Sequence, residues 1–286
     1  MMYLPDRLRA LWHEVEAGRN SAHYAQTEQE RLLDEYRTIW TRTLLSGQET
    51  DLRTSLLREI AVYDSLPELA EVERRCSAAV EVLGGEWHDH IDPQRRESIE
   101  SFYESTTYIY DLMGWHSLRD DTGPLAYVLG LEIARDRGVR TCLDFGSGVG
   151  SGALMFTLAG IQMSLADISR TLLDFAQWRF HQRRLPAAFL HLREDPLPED
   201  HFDMILAMDV FEHLTDPVTT VEQLWRALRP GGLLFARIQV EDAGTHPQHI
   251  VRDFAPTFAK MHEVGLVETW RDTWLWGHQL FEKRSA

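Results

Sequence analysis

The chain has 286 residues, 44% of them hydrophobic and 26% charged, with 29 basic against 45 acidic side chains and a formal charge of −16. That is the composition of a folded protein with a substantial core, and it excludes an intrinsically disordered chain. A surface this acidic repels phosphate backbones, which argues against a nucleic-acid partner, and no apolar run approaches the ~18 residues that suggest a bilayer span.

Residues 1–112 read as an all-helical region. Apolar side chains recur at helical spacing, first at Leu4, Leu8, Leu11, Trp12 and Val15, then at Leu32, Leu33, Tyr36, Ile39, Trp40 and Leu44. Further helices are expected at 50–63, 66–82, 93–112 and 121–137, punctuated by Pro67, Gly84-Gly85, Pro93 and Gly114. The opening stretch carries charges within its first seven residues and has no long apolar run, as expected of neither a secretion signal nor a membrane anchor. Cys76 and Cys142 are too few for a disulfide framework or a cysteine zinc site, so they are expected to be reduced thiols of a cytoplasmic protein. EWHDHID gathers His88, Asp89, His90 and Asp92, but neighbours in a loop rarely all face one ion; it reads as a solvated loop, and no metal is expected.

From Val139 onward, short apolar runs alternate with helical patterns. VRTCLDF, IQMSLAD, AAFLHL, FDMILAM and GLLFARI read as strands. SGALMFTLA, SRTLLDFAQWRFHQRR and VTTVEQLWRAL read as the helices between them, with RFHQRR as a solvated helix end. LRPGG is a turn into the fifth strand, and the tail holds a helix near 252–263 and two more strand candidates, VGLVETWRD and HQLFEKR. This alternation specifies an α/β fold: a Rossmann-like, doubly wound, mostly parallel seven-stranded sheet with helices on both faces, preceded by the helical region.

The strongest chemical signal is LDFGSGVGSG, where a strand ends at Asp144-Phe145 and glycines follow at 146, 148 and 150. Such a loop lets a ligand approach the backbone, and the helix that follows offers free N–H groups to an anion. Asp167, at the tip of the next strand, stands where a ribose diol would be held. A dinucleotide fingerprint fits poorly: counted from Gly146 its third glycine position is Ser151. An acid followed by alternating glycines suits a cofactor with an amino-acid tail in place of a pyrophosphate.

From about Thr141 to Ile238 the chain resembles the class I S-adenosylmethionine-dependent methyltransferases. It is most similar to the branch containing ubiquinone-type and natural-product enzymes. LDFGSGVGSG, ADIS, PEDHFDMILAMDVFEHLTDP and LRPGGLLFARI match four family motifs in order. The resemblance implies that Asp144, Gly146, Gly148 and Gly150 line the methionine end of S-adenosylmethionine. It likewise implies that Asp167 holds the ribose with Ile168 on the adenine face, and that Met208 and Asp209 border the reacting methyl. Where relatives carry an acid for the adenine amino group, HLREDPLPED brings His191 or Leu192 and displaces Glu194 and Asp195, so backbone groups are the expected adenine partners.

For proton removal the chain offers His213 in FEHL, and His246 and His249 in THPQH, where relatives carry a cap over the substrate. The aromatic run SFYESTTYIYDLMGWH adds Tyr103, Tyr108 and Trp115; of these groups His213, His249 and Tyr108 are the candidates for catalysis. Residues 113–286 are then a methyltransferase domain, and 1–112 a region that caps the substrate and forms a homodimer interface. The expected reaction is methyl transfer to O, N or C of a small organic molecule, secondary metabolites being one candidate class. The alternatives are a protein or carrier-bound substrate, or a protein that binds the cofactor without methylating. No nucleic-acid or membrane partner is expected.

Overall fold

The computed structural model describes residues 2–105, 108–119, 123–240 and 247–284. The helical region runs α1 (Leu4–Glu16), α2 (Ala22–Leu44), α3 (Leu52–Tyr63), α4 (Leu69–His90), α5 (Arg96–Ser105) and α6 (Ile109–Gly114), with α7 (Pro124–Asp136) leading into the sheet. Ser21 and Asp51 cap α2 and α3 by accepting from Tyr24 N and Thr54 N. Two expectations fail here. The run expected as one helix over 93–112 is divided into α5 and α6. EWHDHID is not a loop: α4 continues through His90, because Trp87 is buried edge-to-face on Phe102 and that packing outweighs the glycine pair.

The rest alternates as expected. β1 (Thr141–Phe145), α8 (Ser151–Leu158), β2 (Gln162–Asp167), α9 (Arg170–Arg183), β3 (Ala188–His191) and β4 (Phe202–Ala207) are followed by α10 (Pro217–Ala227), β5 (Leu228–Ala236), α11 (Ala255–Glu263), β6 (Leu266–Arg271) and β7 (Gln279–Lys283). The sheet has seven strands in the order β3-β2-β1-β4-β5-β7-β6, parallel except where β7 pairs antiparallel with both β5 and β6. LRPGG belongs to β5, which shifts register against β4 between Phe202 and Met204. The winding reverses between β1 and β4, so their carboxyl ends open the crevice in which ligands of such sheets bind.

Most of the helical region shares its core with the sheet, and a small separate cluster of Leu83, Trp87, Ile99 and Phe102 lies between α4 and α5. One buried cluster runs from Leu8 and Leu56 through Met113 to Leu129, Phe156 and Leu206, joining helices to sheet, and α6 crosses the expected boundary at 112/113. Polar ties reinforce this packing: Tyr3 donates to Asp136, Trp270 Nε1 donates to Asp6 at 2.8 Å, and Trp40 Nε1 donates to the Ser117 carbonyl at 2.9 Å. Among the described residues, no helix is long and apolar enough to cross a membrane.

Candidate active site

A cavity of about 980 Å³ opens over the carboxyl ends of β1 and β4, roofed by α4, α5, α6 and the segment that follows α6. Its floor begins at the glycine loop. Gly146 adopts φ +73°, where a Cβ would meet Val210 Cγ2 at 2.5 Å, so neither the conformation nor the space admits a side chain. α8 then starts at Ser151 without a side-chain cap, and Ser151 and Gly152 of its first turn line the same cavity.

Asp167 is buried at the tip of β2 and held in place by its own neighbours. Gly148 N donates to Oδ2 at 2.8 Å and Ser169 N to Oδ1 at 2.9 Å. Burial pushes its pKa up, and the backbone N–H groups pull it back down. Each oxygen keeps a lone pair for a ligand hydroxyl. Ser147 Oγ, also lining the cavity, is buried without a hydrogen-bond partner. An orphaned polar atom beside such a carboxylate is what a polar ligand would satisfy, so these residues fit the ribose and tail of S-adenosylmethionine.

Gly146, Gly148, Asp167, Ile168, Leu192, Met208 and Asp209 all line the cavity. Asp144 and Gly150 do not. The structure sets Asp144 behind the loop, fully buried, where Tyr127 Oη donates to its Oδ1 at 3.1 Å and desolvation raises its pKa to about 7. A Cβ on Gly150 would meet Leu165, Ala176 and Phe180, which makes it a packing position. At the adenine end, His191 is buried with Nε2 2.9 Å from the Ile168 carbonyl. Asp195 accepts from His191 N, and Glu194 pairs with Arg170, so both displaced acids are engaged elsewhere.

Asp209, two residues past the end of β4, has φ +51° and accepts from Arg237 Nη1 at 2.9 Å. Beyond it, a single turn of 3-10 helix (Phe211–His213) carries Glu212 and His213 to the cavity. His249 reaches the same place from the segment after β5: its ring centroid lies 4.8 Å from that of His213, and Ile250 N donates to the Glu212 carbonyl at 2.9 Å. His213 Nδ1 lies 3.1 Å from the Gln248 carbonyl and 2.9 Å from Tyr103 Oη. A carbonyl only accepts, so Nδ1 carries the proton and Nε2 is the basic nitrogen. Tyr103 and Tyr108 stack 5.9 Å apart, and burial raises both phenols well above their ordinary value. Both phenols therefore remain protonated near neutral pH.

Ligand atoms of Glu212, His213 and His249 all lie within 4.8 Å of one another. Two imidazoles and a carboxylate could hold a divalent cation, a grouping that sequence spacing did not suggest because His249 arrives from a distant segment. His246 lies outside the described residues. Trp115 lines the cavity, with the Arg119 guanidinium 4.1 Å from its ring.

A family model described as a methyltransferase domain matches residues 143–234. The tRNA 5-carboxymethoxyuridine methyltransferase of Escherichia coli (strain K12) is 32% identical over 97 residues, 32% of this chain and 37% of that protein. The ubiquinone biosynthesis O-methyltransferase of Methylobacterium sp. (strain 4-46) is 27% identical over 175 residues, 60% of this chain and 66% of that protein. The chain thus spans little more than a third of the first relative's length. A phosphoethanolamine N-methyltransferase 2 of Haemonchus contortus, solved in complex with S-adenosyl-L-methionine, superposes with a TM-score of 0.46 at 20% identity, covering 59% of this chain and 44% of that one. The family match, with the glycine loop and Asp167 converging on one cavity, identifies residues 143–234 as a class I S-adenosylmethionine-dependent methyltransferase domain.

Proposed function

We propose that this protein methylates O, N or C of a small organic molecule held between the sheet and the helical roof. One observation carries the reading: the cofactor end, with Gly148 and Asp167, and the His213–His249 pair face a single cavity of about 980 Å³. When bound, the cofactor supplies a methyl group already activated on a positively charged sulfur. The chain's own work is then to align the nucleophile and exclude water, which the roof of Tyr103, Tyr108 and Trp115 does with apolar ring surface. A hydroxyl or ammonium nucleophile must also lose a proton. His213 Nε2 is the base in this reading, oriented through Nδ1 by the Gln248 carbonyl, with His249 beside it.

The charge of −16 favours a small molecule over tRNA, and two buried reduced cysteines favour a cytoplasmic setting. Turnover to S-adenosylhomocysteine, measured against panels of phenols, amines and carbon acids and against bulk tRNA and carrier proteins, tests the reading. Activity on a small molecule that falls at least ~100-fold in His213→Ala supports it, within the usual range for a lost acid–base group. Turnover on tRNA or carrier protein alone replaces it. A second reading rests on the convergence of Glu212, His213 and His249, with a divalent cation chelating the substrate. Activity abolished by a chelator and restored by a divalent ion selects that reading; indifference to the chelator selects the base.

A further inference from the structure

Asp144, the acid that the motif places at the amino-acid tail of the cofactor, does not reach the cavity. A different acid does. Asp111, on α6, lines the cavity and is 4% exposed, and its Oδ1 is buried without a hydrogen-bond partner. Its other oxygen, Oδ2, lies 3.3 Å from His116 Nε2. The segment that carries both is laid over the glycine loop. Leu112 Cδ1 is 3.1 Å from where a Gly148 Cβ would stand, and Ser117 Oγ, which donates to the Leu112 carbonyl at 2.7 Å, is 3.5 Å from Ser151 Oγ. Residues 111–117 therefore arch over Gly148–Ser151, and the uncapped start of α8 lies directly beneath.

We infer that Asp111 binds the α-ammonium group of the S-adenosylmethionine tail, so that the helical region supplies half of the cofactor site. The inference rests on the reading of this cavity as a cofactor site. The tail is a zwitterion and needs two poles. The free N–H groups and positive end of α8 suit its carboxylate. Its ammonium needs an acceptor within a few ångströms on the roof side, and Asp111 Oδ1 is a buried acceptor with unused capacity. An unpaired carboxylate oxygen in a buried position is costly, and a charged partner arriving with the cofactor removes that cost. No covalent step is involved.

The test pairs a substitution with a truncated ligand. Wild type, Asp111→Asn and Asp111→Ala are titrated calorimetrically with S-adenosylhomocysteine and with 5′-methylthioadenosine, which keeps the nucleoside and lacks the amino-acid tail. S-Adenosylhomocysteine is expected to lose roughly 10- to 100-fold in affinity in both variants, the range of one hydrogen bond to a charged group. Methylthioadenosine is expected to bind wild type and both variants alike. Equal losses for the two ligands would mean that Asp111 only shapes the roof. Unchanged S-adenosylhomocysteine affinity in both variants would mean that the tail ammonium lies elsewhere; either result overturns the inference. If wild type binds neither ligand, the cofactor reading itself fails. Urea unfolding of the free proteins separates the roles further: a carboxylate waiting for a ligand leaves Asp111→Asn at least as stable as wild type, whereas a structural carboxylate does not.

Discussion

Arg179 donates from Nε to Glu59 Oε2 at 3.0 Å across 120 positions of sequence, with both side chains buried. The same guanidinium donates from Nη1 to the Val149 carbonyl at 2.7 Å and to Ser151 Oγ at 2.9 Å, where the glycine loop enters α8. Arg183 pairs with the other oxygen of Glu59. A residue of α3 thus neutralises the cation that fastens the cofactor loop. Removing Glu59 leaves that cation buried without its counter-charge, and breaking such a pair from one side costs about 3–5 kcal/mol. Glu59→Ala is expected to lower the urea midpoint accordingly, with Glu59→Gln less harmful because it keeps one acceptor. A change below about 1 kcal/mol in Glu59→Ala would show that water or rearrangement compensates Arg179.

Asp167 is expected to be the largest single contributor to nucleoside binding. Its substitution by Ala removes two acceptors for hydroxyls and also releases Gly148 N, so the loop loses an anchor together with the ligand. Each hydrogen bond to a charged group contributes about 1.5–3 kcal/mol, so S-adenosylhomocysteine affinity should fall about 100-fold or more. Because methylthioadenosine keeps the ribose, it should lose as much in Asp167→Ala. That pattern is the opposite of the one expected at Asp111, and calorimetry on the two ligands distinguishes them.

The alternation of short apolar runs with helices made the sheet legible, because each buried parallel strand needs a continuous apolar run and each crossover a helix. Asp167 and the glycine loop were legible for the same local reason: strand tip and turn are neighbours in sequence. What was not legible depends on packing between distant segments. Arg179 sits in RFHQRR, a run that reads as a solvated helix end; only the arrival of Glu59 from α3 makes its burial tolerable. His213 and His249 each carry an independent signal, but their centroid distance of 4.8 Å is set by the chain's return after β5. Asp111 has no local signal at all. It is one acid in a helical region, given a role only by the arch of residues 111–117 over the loop.

Gly152 marks how tightly the start of α8 is fitted against α7. A Cβ there would stand only 2.1 Å from Cε1 of Tyr127, whose hydroxyl is bonded to Asp144 and whose ring stacks on Trp40 at 6.1 Å. Gly152→Ala should cost about 1–3 kcal/mol by overpacking, since the ring has little room to retreat. Tyr127→Leu combined with Gly152→Ala should recover part of the loss, so the double-mutant cycle is expected to show a coupling of at least about 0.5 kcal/mol. Additive losses would place the strain elsewhere than on Tyr127.

His278 gives the protein a defined acid sensitivity. It is fully buried, stacked 5.2 Å from Phe235, with neither ring nitrogen hydrogen-bonded. Burial lowers its pKa from 6.5 to about 4. Between those values the unfolded chain binds a proton that the folded chain refuses. Stability from this residue is therefore present above pH 6.5 and lost as pH falls towards 4. The full difference corresponds to roughly 3 kcal/mol. Asp144 acts in the opposite sense. Its folded pKa of about 7 exceeds the usual 3.8, so the folded state holds a proton that the unfolded state releases, and stability falls as pH rises through that interval. The two slopes partly cancel in wild type and separate in variants. Urea unfolding at pH 4.5, 5.5 and 6.5 should show His278→Leu losing less stability on acidification than wild type, and Asp144→Asn losing more. If His278→Leu follows wild type across all three pH values, the imidazole is reached by water when it protonates, and the acid sensitivity belongs to other groups.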